Sequence, residues 1–281
     1  MSGQPLNLTL TSTITPKGTN TPIPRLGFGT YPLSPSTCLT ACTAALSTGY
    51  RHIDTAQLYK NESAVGEAIA SSPVSRSDVF ITTKQGIRGD SPEATYALAA
   101  ESVNKITGGD SEGYVDLFLV HTKWVRGDAE GRKEVWQALE RLYEEGKARL
   151  IGVSNYEVEH LEEMRGYARV WPPHVLQVEL HPWRQQRELV RYCEEKGIVV
   201  QAYSPLAEGQ RMDDVVLKGI AEKCSKSPAQ VLLRYGLQKG WVVLPRSENP
   251  MRIAENAGLY DFVLADGDME ALDGLDEAES A

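Results

Sequence analysis

The sequence predicts an α/β protein folded as one (β/α)8 barrel. Short apolar segments alternate with amphipathic helical segments eight times, and no proline- or serine-rich linker interrupts them. The length of 281 residues is close to that of a typical single barrel, about 250 residues. We therefore predict one domain over 1–281, made of a hairpin at 1–25, a barrel at 26–265, and a C-terminal helix with a short tail at 266–281.

A β-hairpin is expected before the barrel, closing its bottom. LNLTLTSTI alternates apolar and polar residues, TPKGTN has the composition of a turn, and TPIPRLGFGT supplies the returning strand. Eight barrel strands are then predicted at 26–30, 51–54, 79–83, 115–120, 150–153, 175–179, 198–202 and 241–244.

The helical segments between the strands include STCLTACTAALSTG, PEATYALAAESVNKI and EGRKEVWQALERLYEEGKA. In the last of these, Val135, Leu139 and Leu142 fall on one face, which is typical of a helix packed on a sheet. Cys38 and Cys42 are four residues apart in the first segment, which favours packing on a helix face over metal binding.

An open doubly wound sheet is the alternative fold for such alternation. It is expected to carry a G-x-G-x-x-G phosphate loop after an early strand. The nearest match, GFGTYP, has Pro32 where the third glycine belongs. The barrel is therefore favoured.

Composition narrows the possible functions. The chain is 41% apolar and 24% charged, as expected of a globular protein with a sizeable core. Its net charge of −9 argues against nucleic-acid or anionic-membrane partners, and no apolar run is long enough to span a bilayer. The N-terminus lacks the pattern of a signal peptide and the four cysteines are scattered, so we expect a cytoplasmic location.

Ionisable residues follow three consecutive predicted strands. Asp54 ends the second strand and Tyr59 lies in the loop after it, Lys84 ends the third strand, and His121 ends the fourth. Active sites of (β/α)8 barrels lie at these C-terminal strand ends. Each residue alone has an ordinary structural explanation, such as a turn, a surface side chain or a core histidine. Together they predict one cluster whose members contact one another, because isolated burial of such groups is costly.

The chemistry of this cluster is that of a general acid. A phenol has a pKa of about 10, and a nearby ammonium such as that of Lys84 can lower it by about 1 to 3 pH units. Asp54 would hold the ammonium, and His121 could orient a carbonyl oxygen beside Tyr59. Such a site suits protonation of an oxygen that gains negative charge, as in reduction of a carbonyl by hydride.

Two other chemistries lack their motifs. The five histidines form no H-x-x-x-H pair, so no metal site is predicted. The G-x-S-x-G motif of many serine hydrolases is also absent.

Hydride transfer needs a donor, and polar residues follow the later strands. Ser154, Asn155 and Gln177 could hydrogen-bond a carboxamide, and Tyr203 could stack on a flat ring. The segment LPRSENPMRIAEN follows the last strand, where barrels often bind phosphate. It indicates either a phosphate pocket or simply a charged helix start on the surface.

These motifs resemble the aldo-keto reductase superfamily. The matching stretches are LGFGTY, HIDTAQLYKNE, TTK, LVH, IGVSNY, QVELHPW, AYSPL and PRSENPMRIAEN, which cover nearly the whole chain. The likeness is to short, single-domain members similar to the diketogluconate reductase-like proteins. It implies NADPH-dependent reduction of small aldehydes and ketones without metal or flavin, and we expect a monomer or weak oligomer.

The resemblance also implies roles for individual residues. Tyr59 would be the proton donor, assisted by Lys84 and Asp54, while His121 orients the carbonyl. The implied cofactor contacts extend from the first loop to the 2′-phosphate and adenine; they are Gly27, Thr30, Ser154, Asn155, Gln177, Tyr203, Ser204, Leu206, Arg246, Ser247, Arg252, Glu255 and Asn256.

Three departures from the family pattern concern specificity. Arg246 stands where lysine is more usual, which keeps the positive charge and suits phosphate. Thr122-Lys123-Trp124 stands where the family often has Trp-Pro after the histidine, which changes the pocket wall beside His121. The chain also ends without a long C-terminal tail, which suggests an open pocket and a permissive choice of substrate. We predict Tyr31 and Trp124 as aromatic residues of this pocket, with Trp183 as a weaker candidate.

A non-catalytic barrel that binds NADPH as a regulatory or sensor subunit is the alternative function. The intact set of four ionisable residues argues against it. A structural protein recruited from a reductase would leave no distinguishing mark in the sequence.

Overall fold

The computed structural model describes residues 8–277 and contains the predicted barrel. Eight parallel strands are ordered sequentially around it. Leu26, just before the first barrel strand, bridges to Val243 in the last, and the Gly27 amide donates to the Val243 carbonyl at 2.9 Å, which closes the ring. The barrel strands are β3 Phe28–Gly29, β4 His52–Asp54, β5 Phe80–Gln85, β6 Val115–Val120, β7 Ala148–Ser154, β8 Val175–Glu179, β9 Val199–Tyr203 and β10 Val242–Val243.

The N-terminal hairpin covers the bottom of the barrel, as predicted. Its strands, β1 Thr13–Ile14 and β2 Ile23–Pro24, are antiparallel and shorter than the sequence pattern indicated. Ile23 is fully buried and packs with Phe80 and Val199, which begin their strands. Residues 1–7 of the predicted hairpin and 278–281 of the predicted tail lie outside the described residues.

Ten helices occur within residues 8–277. They are α1 Pro35–Thr48, α2 Glu62–Ala70, α3 Pro92–Thr107, α4 Asp128–Glu144, α5 Val158–Met164, α6 Arg187–Lys196, α7 Val215–Cys224, α8 Pro228–Gln238, α9 Pro250–Ala257 and α10 Asp266–Asp273. Several begin with a serine cap followed by proline. The Ser34 and Ser91 side chains accept hydrogen bonds from the first turns of α1 and α3, and Ser227 forms a capping box with Gln230 in α8.

The main apolar core lies between the strands and the helices. Val135, Leu139 and Leu142 of α4 are fully buried there, which confirms the predicted face of that helix. Cys38 and Cys42 are also buried on α1, with their sulfur atoms 3.8 Å apart, as expected of packing residues. Among the described residues, none of the helices is both long and apolar enough to cross a bilayer.

The barrel interior changes from apolar to polar along its axis. A small apolar cluster fills its lower part, including Leu117, Leu150 and Val242. Toward the C-terminal strand ends, polar side chains such as Lys84 and Gln177 replace it although they too are almost fully buried. This polar layer forms the floor of the site described next.

Candidate active site

A buried ion pair lies at the centre of the polar layer. The Lys84 Nζ donates to Asp54 Oδ1 at 2.5 Å, and the side chains are 1% and 6% exposed. Lys84 also donates to the Thr55 carbonyl at 3.0 Å. Asp54 ends β4, and its register partner on the adjacent β5 is Thr82. Lys84 lies two residues beyond Thr82 on the same face of β5, so its long side chain reaches the Asp54 carboxylate.

Tyr59 joins this pair from the loop after β4. The Lys84 Nζ lies 3.3 Å from the Tyr59 hydroxyl, and the His121 ring packs edge-on against the phenol with centroids 5.6 Å apart. The structure thus brings together all four ionisable residues singled out by the sequence.

The electrostatics of Tyr59 differ from the expectation. Burial raises the pKa of the phenol above its ordinary value, and the Lys84 ammonium opposes this shift without overcoming it. The prediction of a lowered pKa is therefore wrong, because loss of hydration outweighs one neighbouring cation. For Lys84, burial acts in the opposite direction and by itself would lower the pKa of the amine. The Asp54 carboxylate and Tyr59 outweigh it and raise the pKa of Lys84 above its ordinary value. The phenol is protonated and the amine charged at neutral pH.

His121 is a neutral ring in this environment. Burial, followed by repulsion from the Lys84 ammonium, lowers its pKa to about 3. The residue is held at the end of β6, where its amide donates to the Gln85 carbonyl at 2.9 Å. It can therefore form a hydrogen bond with an oxygen beside Tyr59 without adding charge.

Asn61 connects the loops that carry the site, and sequence reasoning missed it. It is buried and donates to the Thr30 and Leu33 carbonyls at 3.1 and 3.0 Å, after β3. Its side-chain oxygen accepts from the Thr55 hydroxyl at 2.7 Å, after β4. An asparagine two residues after Tyr59 was the available signal, but only the fold shows which carbonyls it reaches.

Gln177 was predicted as a cofactor contact and also supports Asp54. Its Nε2 donates to Asp54 Oδ2 at 2.8 Å and to Gln201 Oε1 at 2.9 Å. Both amide hydrogens are therefore engaged, and its carbonyl oxygen is the group left to accept a hydrogen bond from a ligand. Gln201 is fully buried, and sequence reasoning did not single it out.

A second polar group follows β7 and β9. Asn155 donates to the His121 carbonyl at 3.1 Å and to the Ser154 hydroxyl at 3.2 Å, and its oxygen accepts from the Tyr203 hydroxyl at 2.9 Å. Burial raises the pKa of Tyr203 to about 12, so its hydroxyl is a stable donor. Asn155 thus links the side chains of Ser154 and Tyr203 to the backbone of His121.

The backbone after these strands is unusual. Asn155 and Ser204 have φ of 60° and 45°, and Ala207 and Glu208 follow with 46° and 53°. Such left-handed conformations in non-glycine residues carry a conformational cost and are common at ligand sites. Leu206 lies in the same turn, half-buried against the core.

The predicted phosphate residues surround the start of α9. Arg246 Nε donates to the Tyr31 carbonyl at 3.0 Å, and its Nη1 lies 3.5 Å from Glu248 Oε1. Ser247 is largely buried and accepts from the Asn249 amide at 3.1 Å. Arg252 is exposed on the first turn of α9 and forms no ion pair within residues 8–277.

These donors fit an anionic nucleotide. Two guanidinium groups, a hydroxyl and a helix start favour phosphate. At Gly29, an added Cβ would lie 3.3 Å from the Leu244 carbonyl and 3.8 Å from Arg246 Cβ, so the glycine permits the close approach of the first loop. Glu255 is exposed and Asn256 buried on α9.

Two residues of the first loop are explained differently. A Cβ at Gly27 would lie 2.5 Å from Leu244 and 2.8 Å from His52, so packing inside the barrel accounts for this glycine. Thr30 donates to the Asp54 carbonyl at 2.9 Å and is fully buried. Their contact with a cofactor stays a prediction.

Comparison with known proteins identifies the family. The sequence profile described as "Aldo/keto reductase family" matches residues 25–277. The chain belongs to the aldo/keto reductase family. It is accordingly an oxidoreductase of a family whose members generally use nicotinamide cofactors.

The relatives include named reductases. The chain is 46% identical to a glyoxal reductase of Bacillus subtilis over 84% of this chain and 82% of that protein. It is 41% identical to a 9,11-endoperoxide prostaglandin H2 reductase of Trypanosoma cruzi over 91% and 88% of the two chains. The crystal structure of an aldo/keto reductase from Brucella melitensis, 39% identical, superposes with a TM-score of 0.88 and covers 95% of this chain and 100% of that one.

The mouth of this aldo/keto reductase carries exposed aromatic residues. Tyr31 is 59% exposed and its ring lies 5.0 Å from that of Tyr59, whereas Trp124 is 75% exposed with Lys123 over its face. Two further exposed apolar residues on the neighbouring loops, Leu58 and Ile87, were missed because single apolar residues in loops give no periodic signal.

Trp183 occupies a different place. It is buried and lines a groove of about 920 Å³ beyond the end of β8, together with Arg187, Arg211 and Asp276. None of Asp54, Tyr59, Lys84 and His121 lines this groove. Trp183 therefore contributes to that groove, and its contact with a substrate stays a prediction.

Proposed function

We propose that this protein reduces aldehydes and ketones to alcohols with NADPH, with Tyr59 as the general acid. The observation that carries the proposal is the contact of the Lys84 ammonium with both the Tyr59 hydroxyl and the Asp54 carboxylate inside the barrel mouth. Bound NADPH would supply the hydride.

The proposed proton transfer follows from the charges around Tyr59. Its hydroxyl is protonated at neutral pH and gives its proton to the carbonyl oxygen as that oxygen becomes negative. The phenolate that forms is stabilised by Lys84 at 3.3 Å. Asp54 holds the ammonium in place and offsets its burial. The low pKa of His121 suits a neutral hydrogen-bond partner for the same oxygen.

The proposed nucleotide site runs across the later strands. Ser154, Asn155 and the free carbonyl of Gln177 would hold a carboxamide beside the ring of Tyr203. Ser204 and Leu206 would line the pyrophosphate path. Arg246, Ser247 and Arg252 would bind the 2′-phosphate, with Glu255 and Asn256 beside the adenine. The donor chemistry and the strained turn support this assignment.

The substrate class is proposed from the relatives and the open mouth. The 46% identity to a glyoxal reductase favours small dicarbonyl compounds, and the exposed rings of Tyr31 and Trp124 favour aromatic aldehydes as well. We also propose a single domain, because one apolar core cluster extends from Leu26 to Leu272. A cytoplasmic location and a monomeric or weakly oligomeric state complete the proposal.

The test is NADPH oxidation, followed by absorbance, with glyoxal, an aromatic aldehyde and a ketone. We expect Tyr59→Phe to lower kcat/KM by about 10² to 10⁴ while NADPH affinity is retained. Tyr96→Phe is the matched control, because this tyrosine bonds to Glu145 on the outer helices.

Three outcomes separate the possible functions. Loss of turnover in Tyr59→Phe alone supports the reductase and its acid. Undiminished turnover in that variant would remove Tyr59 from the mechanism. Tight NADPH binding by the wild type without turnover on any carbonyl would favour the binding-subunit alternative.

A further inference from the structure

An acidic side chain lies within the proposed phosphate site. Glu248 Oε1 is 3.5 Å from Arg246 Nη1, and the side chains are 56% and 39% exposed. Arg246 is oriented independently by its bond to the Tyr31 carbonyl at 3.0 Å. The guanidinium that would receive a 2′-phosphate thus already has a carboxylate beside it.

The loop between β10 and α9 holds this pair at the site. Ser247, between Arg246 and Glu248, is largely buried and accepts from the Asn249 amide at 3.1 Å. The Asn249 side chain in turn accepts from the Met251 amide at 2.9 Å, at the start of α9. Arg246 and Glu248 are therefore displayed from one short, internally bonded turn, and Arg252 from the first turn of the helix that follows it.

The two nicotinamide cofactors differ at the group that this turn would meet. A 2′-phosphate is negative, so a neighbouring carboxylate repels it and competes for the guanidinium. A ribose 2′-hydroxyl is neutral and can donate a hydrogen bond to a carboxylate, which is how acidic residues select NAD in dinucleotide-binding folds. Arg246 and Glu248 consequently favour opposite cofactors.

We propose that Glu248 is a specificity-determining residue that narrows the preference for NADPH over NADH. The inference rests on the cofactor site of the proposed function. Because of Arg246 and Arg252, NADPH binds more tightly than NADH. Glu248 reduces the difference between the two affinities, so that NADH can also bind.

The expected effect is modest because both groups of the pair are exposed. Exposed charge pairs contribute little and are screened by salt, so removal of the Glu248 charge should change affinity by about two- to fivefold. The effect should shrink as ionic strength rises.

The experiment is equilibrium titration of the full chain with NADPH and with NADH, followed by quenching of tryptophan fluorescence and needing no turnover. Glu248→Gln should tighten NADPH by about two- to fivefold and leave NADH unchanged or weaker, so the affinity ratio rises. Glu270→Gln, an exposed carboxylate on α10, is the matched control and should leave the ratio unchanged.

A double variant tests the route of the effect. If Glu248 competes for Arg246, then Glu248→Gln should give a smaller gain when Arg246→Gln is already present. An equal gain in both backgrounds would support the proposal through direct repulsion of the phosphate. A ratio of affinities that is unchanged or lower in Glu248→Gln would overturn it.

Failure of the proposed function has a different signature. If the ratio rises in Glu248→Gln but Tyr59→Phe retains full turnover, the cofactor inference stands and the catalytic assignment falls. Wild-type protein that binds neither cofactor would refute both.

Discussion

The two sides of the barrel mouth are built differently. The side at the ends of β4, β5 and β6, called the catalytic side after the proposed function, has the buried Asp54 and Lys84 at its floor, each held by at least two hydrogen bonds. The side formed by the loops after β7 to β10, called the binding side after the proposed cofactor site, presents Arg246 to solvent on a short turn and Arg252 on the start of α9. Proton transfer benefits from fixed, dehydrated groups, whereas a nucleotide that must enter and leave is better served by accessible cations.

The comparison also separates two uses of charge. Inside the catalytic side, removal of one partner leaves an uncompensated ion, so the pair must be kept whole. On the binding side, water screens each charge, and single substitutions adjust affinity without endangering the fold. The following experiments test this contrast, from the largest expected effect to the smallest.

Lys84→Met should have the largest effect. It leaves the Asp54 carboxylate buried without its cation, which typically costs about 3–5 kcal/mol in the free energy of unfolding. Activity should fall by at least about 10², since the phenolate loses its stabilising charge. Urea denaturation and NADPH oxidation measure the two effects.

The matched control is Lys105→Met. Lys105 forms an exposed pair with Glu101 one helical turn away, and its loss should cost at most about 1 kcal/mol. Equal destabilisation by the two variants would abolish the distinction between the buried and the exposed pair.

Acid should lower the stability of the fold through its buried histidines, above all His52 at the start of β4 and His121 after β6. Burial lowers the pKa of His52 to about 4 and, with Lys84, that of His121 to about 3, below the ordinary value of 6.5. Above pH 6.5 both rings are neutral in the folded and unfolded states. As pH falls from 6.5 toward 4, the unfolded chain binds protons that the folded protein does not, so the free energy of unfolding should decrease.

The measurement is urea denaturation at several values in that pH range. His52→Asn should make the free energy of unfolding change less steeply with pH, because one of the titrating rings is removed. Glu62 and Asp116, whose pKa values burial raises, act in the opposite direction at lower pH. A wild-type stability that is constant or rising from pH 6.5 to pH 5 would contradict the neutral-ring assignment.

Tyr203 distinguishes ring stacking from hydrogen bonding on the binding side. Tyr203→Leu should weaken NADPH binding by about two- to tenfold, because an apolar side chain replaces the aromatic face. Tyr203→Phe keeps that face, loses the bond to Asn155 and should change affinity less. Fluorescence titration of both variants gives the comparison; a larger loss in Tyr203→Phe would assign the binding energy to the hydroxyl.

Trp124→Ala should have the smallest effect on stability. The ring is 75% exposed, so the free energy of unfolding should change by less than about 0.5 kcal/mol. If Trp124 lines the pocket, KM for an aromatic aldehyde should rise by about twofold while that for glyoxal stays constant. Equal KM values in wild type and variant for both substrates would remove Trp124 from the pocket.

Much of the fold, and the proximity of the four ionisable residues, could be predicted from the sequence. The strand pattern, the buried face of α4 and the clustering of Asp54, Tyr59, Lys84 and His121 are all present in the structure. Hydrophobic periodicity and the position of a polar residue after a strand suffice for these predictions, because all strands of a parallel barrel end at the same edge.

The sequence failed where neighbours from distant segments decide the outcome. It suggested a lowered pKa for Tyr59, because a charge partner is visible in a motif whereas the extent of burial is not. It also missed Gln201, which meets Gln177 across adjacent strands, and Glu248, whose meaning depends on where Arg246 is held.

The sequence by itself thus determined the barrel, the order of its strands and which ionisable residues share its mouth, because these follow from periodicity and from the common edge of parallel strands. Only the tertiary structure decided which of these groups are dehydrated, which hydrogen bonds are already taken and which charges compete. Those properties depend on packing between residues as far apart as Asp54 and Gln177, and no local pattern encodes them.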